Sequence, residues 1–513
     1  MASGKKRTSK KNKFNVSLQE FSRYTSIPWL KFFFDTRLSN IERTLIAAVL
    51  TVASVYMFSM VYAVCRNVFS YPLITNIESL QFPAWYQPFP SILICPRNRF
   101  SKDGIVKQVD KWILPKNISK KEMLDKLRSL PSAAYKLKLI DDHEIIEEVM
   151  TINKVSMNHL LEQITLPCDK IIGLCKWNSV ETDCGEIFEK VITPEGHCCT
   201  FNYHIHTKQE LEKSDMRTIS GSGITTGLKL TLFSNFSDAF NSISSSQGYA
   251  IYAGPSGSYL DRSASGSGIL RRKSANFLSF TSTRIEHTEA VKQLPVHDRP
   301  CSGPEHKLSA FKFYSIDNCK IECIMSMCLK YCGCIPIIYP KYSDNQRFCE
   351  FSDLKCLNTI RDTLKRINSG SDLTEYMDNE LEMKRTPSCG CLPSCDTHYI
   401  YEVAASSTHI NDDFIQQSLP STIPPNLPYE NMNFFCDVYV YSQGNLLTKI
   451  ITDIKYDFTN LLGSIGTIAS FIMGWSIISV IEILHFLIQE GLKYSINTIK
   501  YARGVIQNKL QGT

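Results

Sequence analysis

Two long uncharged apolar segments near the ends of the chain constrain its fold more than any other feature. The first covers residues 44–65 between Arg43 and Arg66, and the second begins at residue 458 and continues past Glu482. A helix needs about 20 apolar residues to cross a hydrocarbon layer of roughly 30 Å. We therefore predict transmembrane helices at 44–65 and 458–490. A cleaved signal peptide is the alternative for the first segment, but its apolar core would be shorter and followed by a small-residue cleavage site.

Charge around these segments predicts the orientation of the chain. Residues 1–43 contain ten basic and three acidic residues, and residues 491–513 contain four basic residues and no acidic one. Basic flanks stay in the cytosol. We expect cytosolic segments at 1–43 and 491–513, an extracellular domain at 66–457, and a multi-pass protein of the plasma membrane. The net charge of +6 then belongs largely to membrane flanks, so the expected partner is a lipid bilayer and not a nucleic acid.

The cysteines agree with an external domain. Of 19 cysteines, all except Cys65 lie between Cys95 and Cys436. An even number in an oxidising compartment favours disulfides over zinc, and no metal site is predicted. The sequons at Asn117 and Asn235 are expected to carry glycans because they lie in the same stretch.

The spacing of four cysteines predicts a nested disulfide ladder. Residues 317–331 have a helical pattern, which places Cys319 and Cys323 on one face. Cys389 and Cys391 would share one side of an extended strand. Sequence alone does not fix the connectivity. In the ladder arrangement the pairs are Cys319 to Cys391, Cys323 to Cys389 and Cys301 to Cys395.

Short apolar runs predict a buried sheet in the same domain. Residues 89–95, 227–232 and 250–253 are apolar and are bounded by proline, glycine or serine. A second helix is expected over 372–384. The predicted fold class is therefore an α+β membrane protein, with two transmembrane helices flanking a large disulfide-rich extracellular domain.

Many spaced positions resemble the degenerin/epithelial sodium channel superfamily, and within it the insect pickpocket-like subunits. The resemblance covers nearly the whole chain. Its markers are Phe89-Pro90-Ser91-Ile92 before Cys95; Cys184 to Phe188 with Thr193, Gly196 and Cys198 to Asn202; Arg299-Pro300-Cys301; Tyr314-Ser315; Cys332-Gly333-Cys334; and Cys389-Gly390-Cys391-Leu392-Pro393-Ser394-Cys395.

The resemblance implies a β-sheet palm joined to both spans, with helical thumb and finger regions. Besides the ladder, it implies disulfides of Cys95 with Cys198, Cys175 with Cys184, Cys332 with Cys356, and Cys334 with Cys349. Four cysteines of the domain remain unassigned, and a bond between Cys168 and Cys199 is the favoured extra pair.

Small residues recur along the second apolar segment. Gly463, Gly466, Ser470 and Gly474 are spaced by three and four, so they form one helical stripe. Close helix packing in lipid is one interpretation, since small residues at such spacing are common in membrane helices. The other is a pore lining that exposes carbonyls and hydroxyls to a cation.

Two features favour the pore. Glu482 is an ionisable group in an apolar helix, and such groups usually face a partner or a water-filled path; a helix-end carboxylate near the headgroups is the alternative. The resemblance implies a selectivity filter at Gly474-Trp475-Ser476, a gating position at Gly463 and a blocker-sensitive position at Ser470.

The chain departs from the family pattern at two places. Family members usually have His-Gly before the first span, where this sequence has Pro28 and Trp29. Glycine permits backbone angles that tryptophan resists, so the gating element differs here. Trp475 is also bulkier than the small residue usual in the filter.

The resemblance implies a subunit of a trimeric, voltage-independent, amiloride-sensitive sodium channel in sensory cells. It would form homotrimers or heterotrimers with related subunits, with sodium as the permeant ion, no cofactor and an unidentified extracellular ligand. The alternative is a non-conducting auxiliary or receptor-like subunit. An ectoenzyme is not expected, because no zinc-protease, serine-hydrolase or phosphate-loop motif is present.

Overall fold

The computed structural model describes residues 19–27, 29–31, 38–69, 73–205, 216–234, 238–240, 248–261, 266–303, 305–369, 389–411, 434–455 and 458–510. The chain divides into two compact units. The terminal unit comprises Met1–Ile74 and Asp453–Thr513, and the central unit comprises Thr75–Thr452. The predicted helix over 372–384 lies outside the described residues.

Two β-sheets frame the central unit. The strands are β1 (Leu73–Pro83), β2 (Ser91–Pro96), β3 (Ile172–Trp177), β4 (Val180–Thr182), β5 (Phe188–Thr193), β6 (Gly196–Phe201), β7 (Gly227–Ser234), β8 (Tyr249–Gly254), β9 (Gly266–Leu270), β10 (Ser274–His287), β11 (His398–His409), β12 (Phe434–Ser442) and β13 (Leu446–Ile454). The eight-stranded sheet has the order β1-β13-β10-β12-β7-β3-β4, with β11 also on β10, and the five-stranded sheet has the order β5-β6-β2-β8-β9. The three predicted apolar runs are β2, β7 and β8, so these predictions are confirmed.

Strand β10 holds the larger sheet together. Along one edge it pairs antiparallel with β11, from Ser274 opposite His409 to Ile285 opposite His398. Along its other edge it pairs in parallel with β12 at its start and with β13 at its end. One long strand therefore joins elements that are more than 100 residues apart in sequence.

Aromatic side chains join the two sheets. The Phe89 ring, 2% exposed, meets Trp177, Phe201 and Phe280 edge to face, with centroid distances of 4.9, 5.9 and 5.2 Å. Such pairs add about 0.5–1.5 kcal/mol each beyond the burial of apolar area. Since Trp177 and Phe280 belong to the larger sheet and Phe201 to the smaller, Phe89 fixes their contact.

Helices fill the rest of the central unit. They are α2 (Lys102–Lys111), α3 (Lys120–Leu127), α4 (Leu130–Lys136), α5 (His143–Ile152), α6 (Met157–Ile164), α7 (Cys184–Ile187), α8 (Glu289–Lys292), α9 (Ile316–Cys332) and α10 (Leu354–Ser369); α1 belongs to the terminal unit. Helix α9 confirms the helix predicted over 317–331. Ser315 caps its start by accepting from the Asn318 N–H at 3.1 Å, and Gly333, at φ +66°, ends it.

Eight disulfides cross-link the described part of the central unit. They join Cys95–Cys198, Cys168–Cys199, Cys175–Cys184, Cys301–Cys395, Cys319–Cys391, Cys323–Cys389, Cys332–Cys356 and Cys334–Cys349. These are the three ladder rungs, the four pairs that the resemblance implies and the favoured extra pair. Each contributes about 2–4 kcal/mol by restricting the unfolded chain. Cys65, Cys328 and Cys436 are free thiols.

The ladder forms without the strand that was expected over Cys389 to Cys391. These residues are irregular, and Gly390 lies at φ +60°. The left-handed glycine turns the backbone, so both sulfurs reach α9 from a turn and not from one side of a pleated strand.

The terminal unit contains the apolar helices. Helix α1 (Asn40–Phe69) is longer than the predicted 44–65 and is apolar enough to cross a membrane. The second segment is not the single helix expected over 458–490. It consists of α11 (Phe458–Met473) and α12 (Ile477–Leu510), and α11 is bent by 82° from the Ile477–Lys493 part of α12, so together they count as at most one further crossing.

Candidate functional site

Helix α11 ends at the Gly474-Trp475-Ser476 triplet. Gly474 has φ +68°, a left-handed angle that disfavours residues with a Cβ. Its N–H donates to the Ser470 carbonyl at 2.9 Å, and the Trp475 N–H donates to the Ala469 carbonyl at 3.3 Å. This is a glycine C-cap of the left-handed type, which stops a helix even within an apolar sequence.

Helix α12 begins directly after the same triplet. The Ser476 Oγ accepts from the Ser479 N–H, and the Ser479 Oγ accepts from the Ser476 N–H, both at 3.3 Å. The Val480 N–H closes the first helical turn on the Ser476 carbonyl at 3.2 Å. The glycine is thus a helix stop and the serine a helix start, and the two together produce the 82° bend.

The bend concentrates polar backbone groups in an apolar segment. The last carbonyls of a helix have no intrahelical donor, and the helix dipole adds partial negative charge at that end. In α11 this end is Met473 and Gly474. An arrangement of this kind attracts a cation, because carbonyl oxygens replace part of its hydration shell.

The predicted small-residue stripe lies on the open face of α11. Gly463, Gly466 and Ser470 are exposed, while Ser464, Ile465, Ile468 and Ala469 are half-buried. A Cβ placed on Gly463 or Gly466 would meet nothing within 4 Å. Helix α11 packs on α1, where the Ser54 Oγ lies 3.9 Å from the Met473 Sδ. The stripe is therefore not used for packing against α1.

Glu482 has a partner inside the terminal unit. Its Oε2 accepts from the Thr25 hydroxyl at 2.8 Å and from the Ser26 N–H at 2.7 Å. Hydrogen bonds to a carboxylate are shorter and stronger than those between neutral groups. They tie the segment before α1 to the α12 helix that follows the bend.

Two further contacts strengthen this attachment. The Ser26 and Ser479 hydroxyls lie 2.9 Å apart, and Ser479 is only 1% exposed. The Phe21 ring stacks on Phe486 with centroids 4.5 Å apart. Ser479 therefore contacts the Gly474-Trp475-Ser476 triplet through Ser476 and the amino-terminal segment through Ser26.

The residues that depart from the family pattern lie beside these contacts in sequence. Trp29 is half-buried, and its Nε1 has no hydrogen-bond partner among the described residues; the same holds for Trp475. Pro28 lies outside the described residues.

Sequence reasoning missed Thr25, Ser26 and Ser479. A signal was present, since Ser476, Ser479 and Glu482 recur every three residues and so share one face of a helix. Nothing in the sequence pointed from that face to residues more than 400 positions earlier.

In the central unit, charged side chains join β10 to β1 and β13, the two strands nearest the apolar helices in sequence. Lys449 lies 2.6 Å from Glu78 and 3.2 Å from Glu286, and Arg284 also binds Glu286. Burial raises the pKa of Glu286, but Arg284 and Lys449 outweigh it, so this pKa is lowered overall. Glu286 is consequently ionised at neutral pH and holds both cations.

The two predicted glycosylation sites differ in what can be described. Asn117 is exposed in the turn between α2 and α3. Asn235 lies outside the described residues.

The chain has an apolar helix, a second apolar segment broken by a capped bend, and a disulfide-linked sheet domain between them in sequence. This combination defines a class of membrane proteins with one large folded domain between two hydrophobic segments. A family profile described as amiloride-sensitive sodium channel matches residues 21–486. The chain belongs to this family of ion channels.

Relatives of the chain are sodium channel and pickpocket proteins. "Sodium channel protein Nach" of Drosophila ananassae is 25% identical over 91% of this chain and 85% of its own length. "Pickpocket protein 19" of Drosophila melanogaster is 23% identical over 87% of this chain and 85% of its own. The human "Bile acid-sensitive ion channel" is 23% identical over 88% and 81%.

Proposed function

We propose that the chain is a subunit of a trimeric, voltage-independent, amiloride-sensitive sodium channel of the plasma membrane of sensory cells. Residues 44–65 and 458–490 cross the bilayer, 66–457 are extracellular, and 1–43 and 491–513 are cytosolic. The basic residues that flank both apolar segments support this orientation.

The capped bend at Gly474-Trp475-Ser476 is the observation that carries the proposal. It leaves helix-end carbonyls and a serine hydroxyl in an apolar segment, where such groups are unfavourable unless they face water or an ion. Three copies around an axis make a ring of these oxygens, which selects sodium as it passes. Sodium is the permeant species, and conduction needs no cofactor.

The small-residue face of α11 lines the outer part of the path. Gly463 and Gly466 leave their backbone accessible, and Ser470 adds a hydroxyl. In the trimer this face meets the axis or a related subunit. Gly463 acts as a gating position and Ser470 as the position that a blocker such as amiloride contacts.

The amino-terminal segment is the cytosolic part of the gate. Its hydrogen bonds to Glu482 and Ser479 stabilise α12 beside the filter. Pro28 and Trp29 replace the usual His-Gly, and tryptophan resists backbone angles that glycine permits, so this gating element differs from that of the family.

The central unit is the extracellular sensor. The larger sheet is the palm, α9 and α10 with the ladder form the thumb, and α2 to α6 form the finger region. Cross-linking makes the thumb stiff, so a force or ligand at its surface reaches β1 and β13 and through them the spans. Asn117 and Asn235 carry glycans.

Whole-cell recording from cells that express the chain alone tests the proposal. We expect an inward sodium current without voltage dependence, which amiloride blocks and which disappears when sodium is replaced by a large organic cation. A matched pair of variants locates the filter: Ser476→Ala changes the sodium-to-potassium ratio, whereas Ser59→Ala, on α1 away from the bend, does not. Current of unchanged selectivity in Ser476→Ala would contradict the assignment.

A non-conducting auxiliary subunit is the second candidate. Trp475 in the filter and Pro28-Trp29 before the first span favour it, because Trp475 and Trp29 stand where the family usually has a small residue. Surface biotinylation combined with recording decides between the two. The auxiliary role is identified if cells that express the chain alone carry it at the surface without current, and if co-expression alters the current of related subunits.

A further inference from the structure

A cavity of about 560 Å³ lies within the central unit. Its walls come from residues 255–260, from the start of α9, from the chain between Pro393 and Ile400, and from Tyr86 and Pro88. The volume falls in the range of small-molecule sites, roughly 300–1,000 Å³. None of its lining residues belongs to α1, α11, α12 or the Gly474-Trp475-Ser476 triplet.

Hydrogen bonds from one buried amide fix two of these walls. Asn318 is fully buried, accepts from the Tyr259 N–H at 2.7 Å, and donates to the Gly257 and Phe313 carbonyls at 2.8 Å. Gly257 has φ +84°, and a Cβ there would lie 2.8 Å from the Phe313 ring. The loop at 255–260 is therefore held on the start of α9 in one conformation.

The other walls are equally constrained. The Tyr314 hydroxyl donates to the Leu392 carbonyl at 2.8 Å. Disulfides at Cys391 and Cys395 anchor that segment on either side. The Tyr401 hydroxyl donates to the Pro88 carbonyl at 2.7 Å. A cavity with fixed walls loses little entropy when a ligand binds, which favours affinity.

The lining is aromatic and acidic. Five aromatic side chains contribute to it, from Tyr86, Tyr259, Phe313, Tyr314 and Tyr399. Asp317 and Asp396 add carboxylates, and the described lining contains no lysine or arginine. Burial lowers the pKa of His398, so the lining imidazole is neutral at pH 7. Aromatic rings beside a carboxylate match an organic cation.

Asp317 is the carboxylate best placed to recognise such a cation. Among the described residues its side chain has no hydrogen bond and no ion pair within 4 Å. Burial raises its pKa, Lys320 opposes that effect and Asp261 adds to it. A bound cation would offset the burial, since it favours the charged form of the carboxylate.

A purely structural role for Asp317 is the competing explanation. Asp317 is the second residue of α9 after the Ser315 cap, where an acidic side chain stabilises the helix through its dipole. Asp103 is likewise the second residue of α2 after the Ser101 cap, but it does not line the cavity. The two positions therefore separate helix stabilisation from ligand recognition.

We infer that this cavity binds a small organic amine, whose ammonium group pairs with Asp317 and whose apolar body lies between the aromatic walls. The inference concerns binding alone, so it stands or falls independently of ion conduction.

Equilibrium dialysis of the full chain in phosphatidylcholine nanodiscs tests this, with binding to empty nanodiscs subtracted. The probes are phenethylamine, the neutral 2-phenylethanol and the anionic 3-phenylpropionate, which share one ring and a similar length. We expect phenethylamine to bind at least tenfold more tightly than either of the others. Equal affinity for phenethylamine and 2-phenylethanol would overturn the inference.

Variants locate the binding. Asp317→Asn should weaken phenethylamine at least tenfold and leave 2-phenylethanol unchanged, whereas Asp103→Asn should change neither. Undiminished phenethylamine binding by Asp317→Asn would refute the role of the carboxylate. If that variant does not fold, Thr218→Trp is the substitute, because Thr218 is an exposed residue of the lining and a tryptophan there fills the cavity. Loss of phenethylamine binding then supports the site, and retention overturns it.

Discussion

The bend between α11 and α12 should be measurable as a distance. Spin labels at Leu462→Cys and Gln489→Cys, both exposed positions, lie on either side of the Gly474-Trp475-Ser476 triplet. A Cys65→Ala background removes the half-exposed free thiol of α1. Dilution with unlabelled chain suppresses distances between subunits.

The geometry gives the expected value. At about 1.5 Å rise per residue, residue 462 is about 18 Å from the break and residue 489 about 21 Å beyond it, so an 82° bend places the backbones about 30 Å apart. A continuous helix over the same 27 residues would place them about 40 Å apart. Label linkers broaden both distributions but leave them separable.

Glycine variants test why the helix bends. In Gly474→Ala, the left-handed backbone angle of the bent form would cost about 1–2 kcal/mol. This cost shifts the equilibrium between bent and straight helix roughly 5- to 30-fold toward the straight form. Gly474→Asn should retain the bend, because asparagine tolerates this conformation. Gly463→Ala is the matched control in the same helix, where open space and a helical backbone accept the methyl group.

Double electron–electron resonance on the four proteins decides the matter. We expect one population near 30 Å in the wild-type background, in Gly474→Asn and in Gly463→Ala, and a second population near 40 Å only in Gly474→Ala. A wild-type distance near 40 Å would refute the bend. Identical distributions in Gly474→Ala and wild type would refute the capping argument.

Three further predictions concern the central unit. Burial, helped by the charge of Lys190, lowers the pKa of His197 to about 3, and the His197 Nδ1 lies 3.0 Å from the Tyr135 hydroxyl. Because the unfolded chain binds this proton near pH 6.5, the free energy of unfolding should fall by on the order of 4 kcal/mol from pH 7 to pH 3. Urea titrations at the two pH values should show a smaller fall in His197→Gln. Burial also raises the pKa of Cys328 to about 12 and that of Cys436 well above its usual value. Iodoacetamide should therefore modify neither thiol in the folded chain, and rapid modification seen by mass spectrometry would contradict their burial. Asn117→Gln should remove one glycosidase-sensitive step in gel mobility, and an unchanged wild-type mobility after glycosidase would count against glycosylation there.

Local sequence signals predicted the helix and the disulfide ladder well. The pattern around α9 is helical and starts at a serine cap, and its cysteines four apart share a face. The ladder pairing that this arrangement suggested is confirmed, although the sequence alone left the connectivity open. Runs bounded by proline or glycine likewise identified β2, β7 and β8. The helix and the three strands depend on interactions within a few residues, whereas the ladder joins cysteines 66 to 94 positions apart.

Long-range features could not be predicted in this way. The parallel pairing of β10 with β12 and β13 depends on contacts across more than 100 residues. The break in the second apolar segment was readable in principle from Gly474 and Ser476, but uniform hydrophobicity on both sides favoured one helix. The contact of Thr25 and Ser26 with Glu482 has no local signal at all.

Cadmium block of a cysteine variant tests most directly that the bent segment lines the ion path. In cells that express Ser470→Cys in the Cys65→Ala background, the thiolates of the three subunits in the proposed trimer should bind Cd²⁺ and block the sodium current, while the background protein conducts unaffected. Cadmium-insensitive current from Ser470→Cys, with full-length protein confirmed at the surface, would contradict the account.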